Sequence, residues 1–282
     1  MHFLPAYDVE LPGCLAGIRR IIEVHRRHGI PATFFVVAGL LDEQGDSYRE
    51  LLEDLPLAEI ASHGLAHILL RDHAVCGPAA PADRHGPEIL ESKRRLEEAF
   101  GRQVQGFRPS TGFSTGMRGA PELLRLCAAA GYRYLSSLLW GPQDSMPALF
   151  APAFTYAEDG FPQLWEIPSS GWHDNLLKGS MEWGPTRLQL FPAPVPALVL
   201  TELMKTPEEE AAYNCTLLQA ALAAGARHVT LVWHPWSLHR FDPEMHMLEL
   251  TFRHARDLGL PVTTFSHYTE LLAAQPPAVP EV

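Results

Sequence analysis

His63 and His67, in Ser62-His63-Gly64-Leu65-Ala66-His67, are four residues apart, the spacing that puts two imidazoles on one face of a helical turn where they can share an ion. Imidazole suits zinc, iron, copper and nickel. In a chain with 14 histidines the spacing alone decides nothing. It gains weight from Asp8 and Glu10, Arg108, and His234, each of which directly follows an apolar run of its own. Two neutral imidazoles and one carboxylate make a three-ligand site with open positions, the arrangement of a catalytic centre and not of a closed structural one. A metal held in this way acidifies water and polarises a carbonyl. A second carboxylate can then take the water's proton, and a histidine across the site can protonate a leaving amine. An arginine can hold the second carboxylate by a bidentate contact and keep it ionised.

These residues can meet only if the fold gathers the ends of several elements. The 282 residues suit a single α/β barrel and a large core, with 46% hydrophobic and 20% charged residues. Alternation begins at once. Phe3 to Tyr7 is an apolar run, Leu15, Ile18, Ile22 and His25 recur at helical spacing, and Pro31 to Val37 is a buried-strand run, together a βαβ unit. Strands are expected again at Ala58–Ser62, Val104–Phe107, Tyr132–Ser136, Leu164–Ile167, His228–Trp233 and Val262–Phe265. Helices are expected at Ser47–Asp54, Glu88–Phe100, Pro121–Ala130, Pro207–Ala224, Pro243–Leu258 and His267–Ala274. Residues 72–87, with Gly and Pro throughout, read as a loop, and 139–206 as long functional loops around one strand. The strand count is about seven, in a parallel sheet, open or closed. No repeat or linker marks a second domain, so one domain spans 1–282, with a disordered tail over 276–282. In such folds the carboxyl ends of the strands form the active-site face, so residues far apart in sequence share one bowl.

Composition excludes some partners. A formal charge of −11 and no run of Lys and Arg argue against nucleic acid and anionic membranes. No apolar run approaches a membrane span, and the amino terminus lacks a secretory pattern. The four cysteines, Cys14, Cys76, Cys127 and Cys215, are scattered and form no CxxC pair. The expectation is a reduced, cytoplasmic protein.

The motifs taken together resemble the polysaccharide deacetylase superfamily (NodB homology, carbohydrate esterase 4) over nearly the whole chain. Tyr7-Asp8-Val9-Glu10 resembles its first motif in an acid-Val-acid branch, and Glu59 to His67 the second. Phe107-Arg108-Pro109-Ser110-Thr111-Gly112 is similar to the third, and Leu231-Val232-Trp233-His234-Pro235 to the fifth. The resemblance implies a distorted (β/α)7-type barrel of parallel strands with long loops on the carboxyl-terminal face, and a divalent-metal hydrolase of amides. On its pattern Asp8 is the general base, Glu10, His63 and His67 are the metal ligands, Arg108 orients Asp8, and His234 is the general acid. The backbone N–H of Thr111 would help hold the oxyanion. For the fourth motif Asp174, with Glu166 as the other candidate, would orient His234. Trp172, Trp183 and Trp236 are candidates to line the substrate groove. The sequence departs from the common first motif, in which aspartates are adjacent. A valine separates Asp8 from Glu10, the roles of the two acids could be exchanged, and Glu is one methylene longer. The third motif has Thr111 where an aromatic is usual.

The leading functional expectation is removal of an N-acetyl or N-formyl group from a sugar or glycoconjugate. The alternatives are an allantoinase-like hydrolase of a small cyclic amide and a non-catalytic metal- or sugar-binding pseudoenzyme. One divalent metal is expected, zinc by default, with cobalt, manganese, nickel or iron as alternatives. The partner is then a carbohydrate or small-molecule amide, with no nucleic acid and no stable membrane insertion. Oligomeric state stays open.

Overall fold

The computed structural model describes residues 1–53, 57–74, 76–141, 148–170, 198 and 204–274. Its strands are β1 (His2–Val9), β2 (Ala32–Val36), β3 (Ala58–Ser62), β4 (Gly106–Phe107), β5 (Tyr134–Leu135), β6 (Phe154–Tyr156), β7 (Phe161–Glu166) and β8 (His228–Trp233). They form one sheet in the order β6-β7-β5-β4-β3-β2-β1-β8, all parallel except for the antiparallel β6 at the edge. The helices are α1 (Cys14–His28), α2 (Leu41–Glu53), α3 (Ser92–Phe100), α4 (Pro121–Ala130), α5 (Pro207–Ala223), α6 (Pro235–Phe241), α7 (His246–Asp257) and α8 (Phe265–Ala274). α1 to α4 each link successive strands from β1 to β5, and α5 links β7 to β8. No helix among the described residues is long and apolar enough to cross a membrane.

Side-chain parity explains both layers. In β1, Phe3, Tyr7 and Val9 belong to the large cluster that packs under the helices, while Leu4 and Ala6 face the other way. Leu4 and Ala6 share a second, smaller cluster with Phe35, Ala61, Tyr134, Ile167 and Val232, contributed by strands across the whole sheet. Hydrogen bonds between the ends of the sheet, at β8 and just after β7, show that it curls into a barrel around them. The fold is therefore the expected distorted barrel, and its seam lies between β7 and β8, which share no ladder. Side chains bridge the seam. His228 Nε2–H donates to the carbonyl of Pro168 at 3.0 Å, and the Thr230 amide donates to Ser170 Oγ at 3.2 Å. Phe265 and Tyr268 of α8 close the amino-terminal end of the barrel. There Glu59 accepts hydrogen bonds from Thr33 Oγ1, Tyr134 OH and the Ser266 amide at 2.7–3.0 Å, and also from the Ser266 hydroxyl.

Some expectations are corrected. Val262 to Phe265 is no strand; it makes one isolated bridge, Phe3 to Val262, and Phe265 already starts α8. β6 and α6 were not anticipated. The expected helix from Glu88 begins as a π turn, Pro87–Glu91, before α3. The expected tail over 276–282 lies outside the described residues.

Candidate active site

The inward parity of each strand runs through apolar residues and ends on a polar one. Leu4 and Ala6 lead to Asp8 and then Glu10, Ala61 leads to His63, Tyr134 to Ser136, Ile167 to Ser169, and Val232 to His234. The carboxyl-terminal mouth of the barrel is thus lined with chemistry by the two-residue repeat of the strands.

Arg108, only 3% exposed, lies under this mouth. Its Nη1 donates to Asp8 Oδ1 at 2.6 Å, and Nη2 donates to Ser136 Oγ at 3.1 Å and Ser169 Oγ at 3.2 Å. The guanidinium lies 3.9 Å from the centre of the Phe35 ring, a cation–π contact in a desolvated place. Asp8 is therefore aimed by one charge-assisted bond in place of the bidentate contact expected, and its second oxygen, Oδ2, lies 3.9 Å from His63 Nε2.

His63 donates Nδ1–H to the carbonyl of Arg108 at 2.9 Å. That bond fixes the tautomer, since a carbonyl only accepts, and leaves the lone pair of Nε2 facing the mouth. Burial lowers the His63 pKa to about 4, against the opposing pull of Asp8, so the ring is neutral at neutral pH, the form that could bind a metal. His67 Nε2 lies 3.1 Å from Glu10 Oε2, is buried, and is out of hydrogen-bonding alignment. Burial opposes ionisation of Glu10, but the His234, His67 and His63 imidazoles outweigh it and hold the carboxyl well below the usual carboxylate range. Ligand atoms of Glu10, His63 and His67 all lie within 4.8 Å of one another. An ionised carboxylate, an imidazole locked with its lone pair inward and a buried nitrogen with no aligned partner fit a divalent ion, with positions left open.

The histidines do not converge by helical spacing. Residues 63–70 form a loop, with φ of +88° at Gly64 and +57° at His67, and the two rings come to 4.9 Å, centre to centre. His234 caps the start of α6 and places Nε2 3.8 Å from Glu10 Oε2. The structure therefore brings Asp8, Glu10, His63, His67, Arg108 and His234 together.

Other expectations fare differently. Trp236 is not simply a groove residue, because its indole Nε1–H donates to Glu10 Oε1 at 3.0 Å. Glu166 faces away from His234. It accepts hydrogen bonds from the amides of Ser137 and Leu138 and the hydroxyls of Ser137 and Tyr156, at 2.5–2.8 Å. Asp174, Trp172 and Trp183 lie outside the described residues. Thr111 sits in a braced loop. The Ser110 hydroxyl donates to the Ile68 carbonyl at 2.7 Å, and the Phe113 amide donates to the Ser137 carbonyl at 2.7 Å. Sequence reasoning missed Ser136 and Ser169 as partners of Arg108. The parity of their strands could have revealed them.

Comparison with known proteins agrees with this fold. Residues 13–135 match the profile described as polysaccharide deacetylase. Over that stretch the chain is similar to the polysaccharide deacetylase superfamily. The matched stretch holds His63, His67, Arg108 and Thr111, while Asp8, Glu10 and His234 lie beyond its ends. By sequence, no curated protein matches the chain. Among solved structures, a polysaccharide deacetylase homologue from Mycobacterium smegmatis has TM-score 0.67 at 19% identity, covering 100% of this chain and 94% of that one. The PuuE allantoinase has TM-score 0.66 at 16% identity, covering 99% and 91%. A carbohydrate esterase 4 pseudoenzyme from Bacillus anthracis has TM-score 0.56 at 12% identity, covering 95% and 65%. At these identities the likeness is one of fold.

Proposed function

We propose that this chain is a metal-dependent amide hydrolase that removes an N-acetyl or N-formyl group from a sugar or glycoconjugate. The observation that carries the reading is the convergence of Glu10, His63 and His67 beside two separately held proton-transfer groups, Asp8 and His234. Glu10, His63 and His67 would hold one divalent ion, zinc by default. When bound, it supplies Lewis acidity, acidifying water and polarising the amide carbonyl.

The remaining work belongs to the chain's own side chains. Asp8 accepts a proton from the attacking water at Oδ2, because Oδ1 is committed to Arg108. Arg108 keeps Asp8 oriented and ionised, and the paired charges let both stay buried. His234 gives a proton to the departing amine nitrogen. The Thr111 amide donates to the carbonyl oxygen as charge develops on it. Asp174 is the proposed partner of His234, and Trp172 a wall of the groove.

A second reading, hydrolysis of a small cyclic amide, is favoured by the acid-Val-acid spacing of Asp8 and Glu10, and the PuuE allantoinase shares the fold. A panel of N-acetylated and N-formylated sugars, with allantoin alongside, separates the two. The proposal expects acyl release that is lost after chelation and restored by one equivalent of metal. Asp8→Asn should bind metal within about twofold of the parent and lose ~10²–10⁴ in kcat, the usual size of a general-base contribution. Full turnover by Asp8→Asn would sink the assigned mechanism. Stoichiometric metal without hydrolysis across the panel would identify a pseudoenzyme.

A further inference from the structure

Glu88 is buried to 3% exposure and has no part in the chemistry just described. Both of its oxygens are committed to one short stretch of backbone. Oε2 accepts the amide of Ala66 at 2.9 Å, and Oε1 accepts the amide of Ile68 at 3.2 Å. The residue between those two amides is His67, whose φ is +57°. Amides gathered around a left-handed residue form a concave anion-binding nest, and here the anion comes from the chain itself. The same carboxylate covers Gly64, where a Cβ would come within 2.1 Å of Oε1. Gly64, with φ of +88°, both makes the turn and leaves room for the carboxylate. Glu88 reaches this point from the π turn that precedes α3, a distortion found frequently at functional sites.

A left-handed backbone at a residue with a large side chain persists only when its surroundings over-determine it. Around His67 the Gly64, Leu65 and Ile68 carbonyls are held by Ala38, Gly39 and Ser110, and the flanking amides of Ala66 and Ile68 are held by Glu88 alone through two hydrogen bonds. We propose that Glu88 is a positioning residue of the metal centre: its carboxylate locks His67 in the left-handed conformation that turns Nε2 toward Glu10 and His63. The inference rests on the metal reading above for its consequence, though not for its geometry. Gln in place of Glu88 keeps the shape but sets an NH2 group against one of the two amides, where both would donate. Asp keeps the charge but is one methylene short of bridging them.

The test titrates Co²⁺ into the metal-free parent, Glu88→Gln and Glu88→Asp, following the visible absorption of the bound ion, with thermal melting beside it. Partners that orient metal ligands typically change affinity about 10–100-fold, and Glu88→Gln should weaken Co²⁺ binding by that factor and alter the absorption spectrum. Glu88→Asp should weaken it less, and it carries the test if Glu88→Gln does not fold. A variant that melts earlier yet binds Co²⁺ within twofold of the parent would overturn the proposal and leave Glu88 a merely structural brace. If the parent itself takes up no Co²⁺, the metal reading fails, and hydrogen exchange in the metal-free proteins decides for Glu88. Selective loss of protection at Ala66 and Ile68, with a shifted His67 ring resonance in Glu88→Gln, upholds the lock. Unchanged protection and an unchanged ring resonance overturn it.

Discussion

Glu10, the third ligand of the proposed metal centre, is one methylene longer than the aspartate of the common first motif, and the structure offers a physical reason why a glutamate could serve. A free Glu side chain has more rotamers to lose on binding an ion than an Asp has. Trp236 removes part of that freedom by taking Oε1 at 3.0 Å, which leaves Oε2 as the oxygen facing His67 and His234. Trp236→Phe deletes the N–H while leaving an aromatic ring. Its Co²⁺ affinity should fall about 10–100-fold, the range for a lost outer partner of a metal ligand. Calorimetric titration of the metal-free protein checks it, and affinity within twofold of the parent would mean that Glu10 needs no such guide. Asp8, His63, Arg108 and His234 were legible in the sequence because each follows a run of strand type, and Glu10 and His67 because of their spacing from Asp8 and His63. Glu88 and Trp236 were not legible as partners. Trp236 lies 226 residues from Glu10 and Glu88 22 residues from Ala66, and nothing in local spacing links either pair.

At the scale of elements, what matters is how closely helices approach the strand ends. α1 crosses α6 at Gly17, where a Cβ would come within 2.1 Å of the Pro235 carbonyl oxygen. The obstacle is backbone directly after His234, so it cannot give way as a flexible side chain would. Gly17→Ala should therefore cost about 1–3 kcal/mol, the usual size of an overpacking penalty, and displace His234 as well. The expected result is a lower urea midpoint together with a reduced kcat; a loss of stability with kcat unchanged would show that α6 yields away from the site. Elements were read from sequence best where propensity and tertiary demand agreed. Ala58–Ser62, Pro121–Ala130 and His228–Trp233 fall where expected. They diverged where tertiary contacts won. The β-branched run Val262-Thr263-Thr264 has strand propensity, but Phe265 is drawn into the barrel floor against Phe35 and Tyr134, and helix begins there. The spacing of His63 and His67 is compatible with a helical turn, and only Gly64 hinted that the chain turns otherwise.

At the scale of the whole molecule, two buried histidines outside the site make stability depend on pH. His25 donates Nδ1–H to the Ile30 carbonyl at 3.1 Å, and Nε2 accepts from Tyr7 OH at 2.8 Å. His228 donates Nε2–H across the seam to the Pro168 carbonyl, and Nδ1 faces Tyr268 OH at 3.5 Å. In each ring the second nitrogen faces a tyrosine hydroxyl, and the buried surroundings oppose the charge that a second proton would bring. Burial lowers both pKa values to about 4, from 6.5 in the open chain, with His28 near His25 and His2 near His228 adding to the effect. A histidine whose pKa is depressed by folding takes up a proton on unfolding. Its stabilising contribution is therefore complete above pH 6.5 and is lost as the pH falls from there toward 4. Each ring contributes a slope of at most about 1.4 kcal/mol per pH unit in that window. Urea unfolding at pH 7, 6 and 5 should show a midpoint that falls progressively more steeply, with no change in m. His25→Gln should remove one proton from that dependence. Because His228 bridges β7 and β8, hydrogen exchange at pH 5 should rise first at Thr230 and its neighbours along the seam. A stability profile flat between pH 7 and 5 would show that both rings titrate in the folded protein as they do in the open chain, and that burial does not hold them neutral.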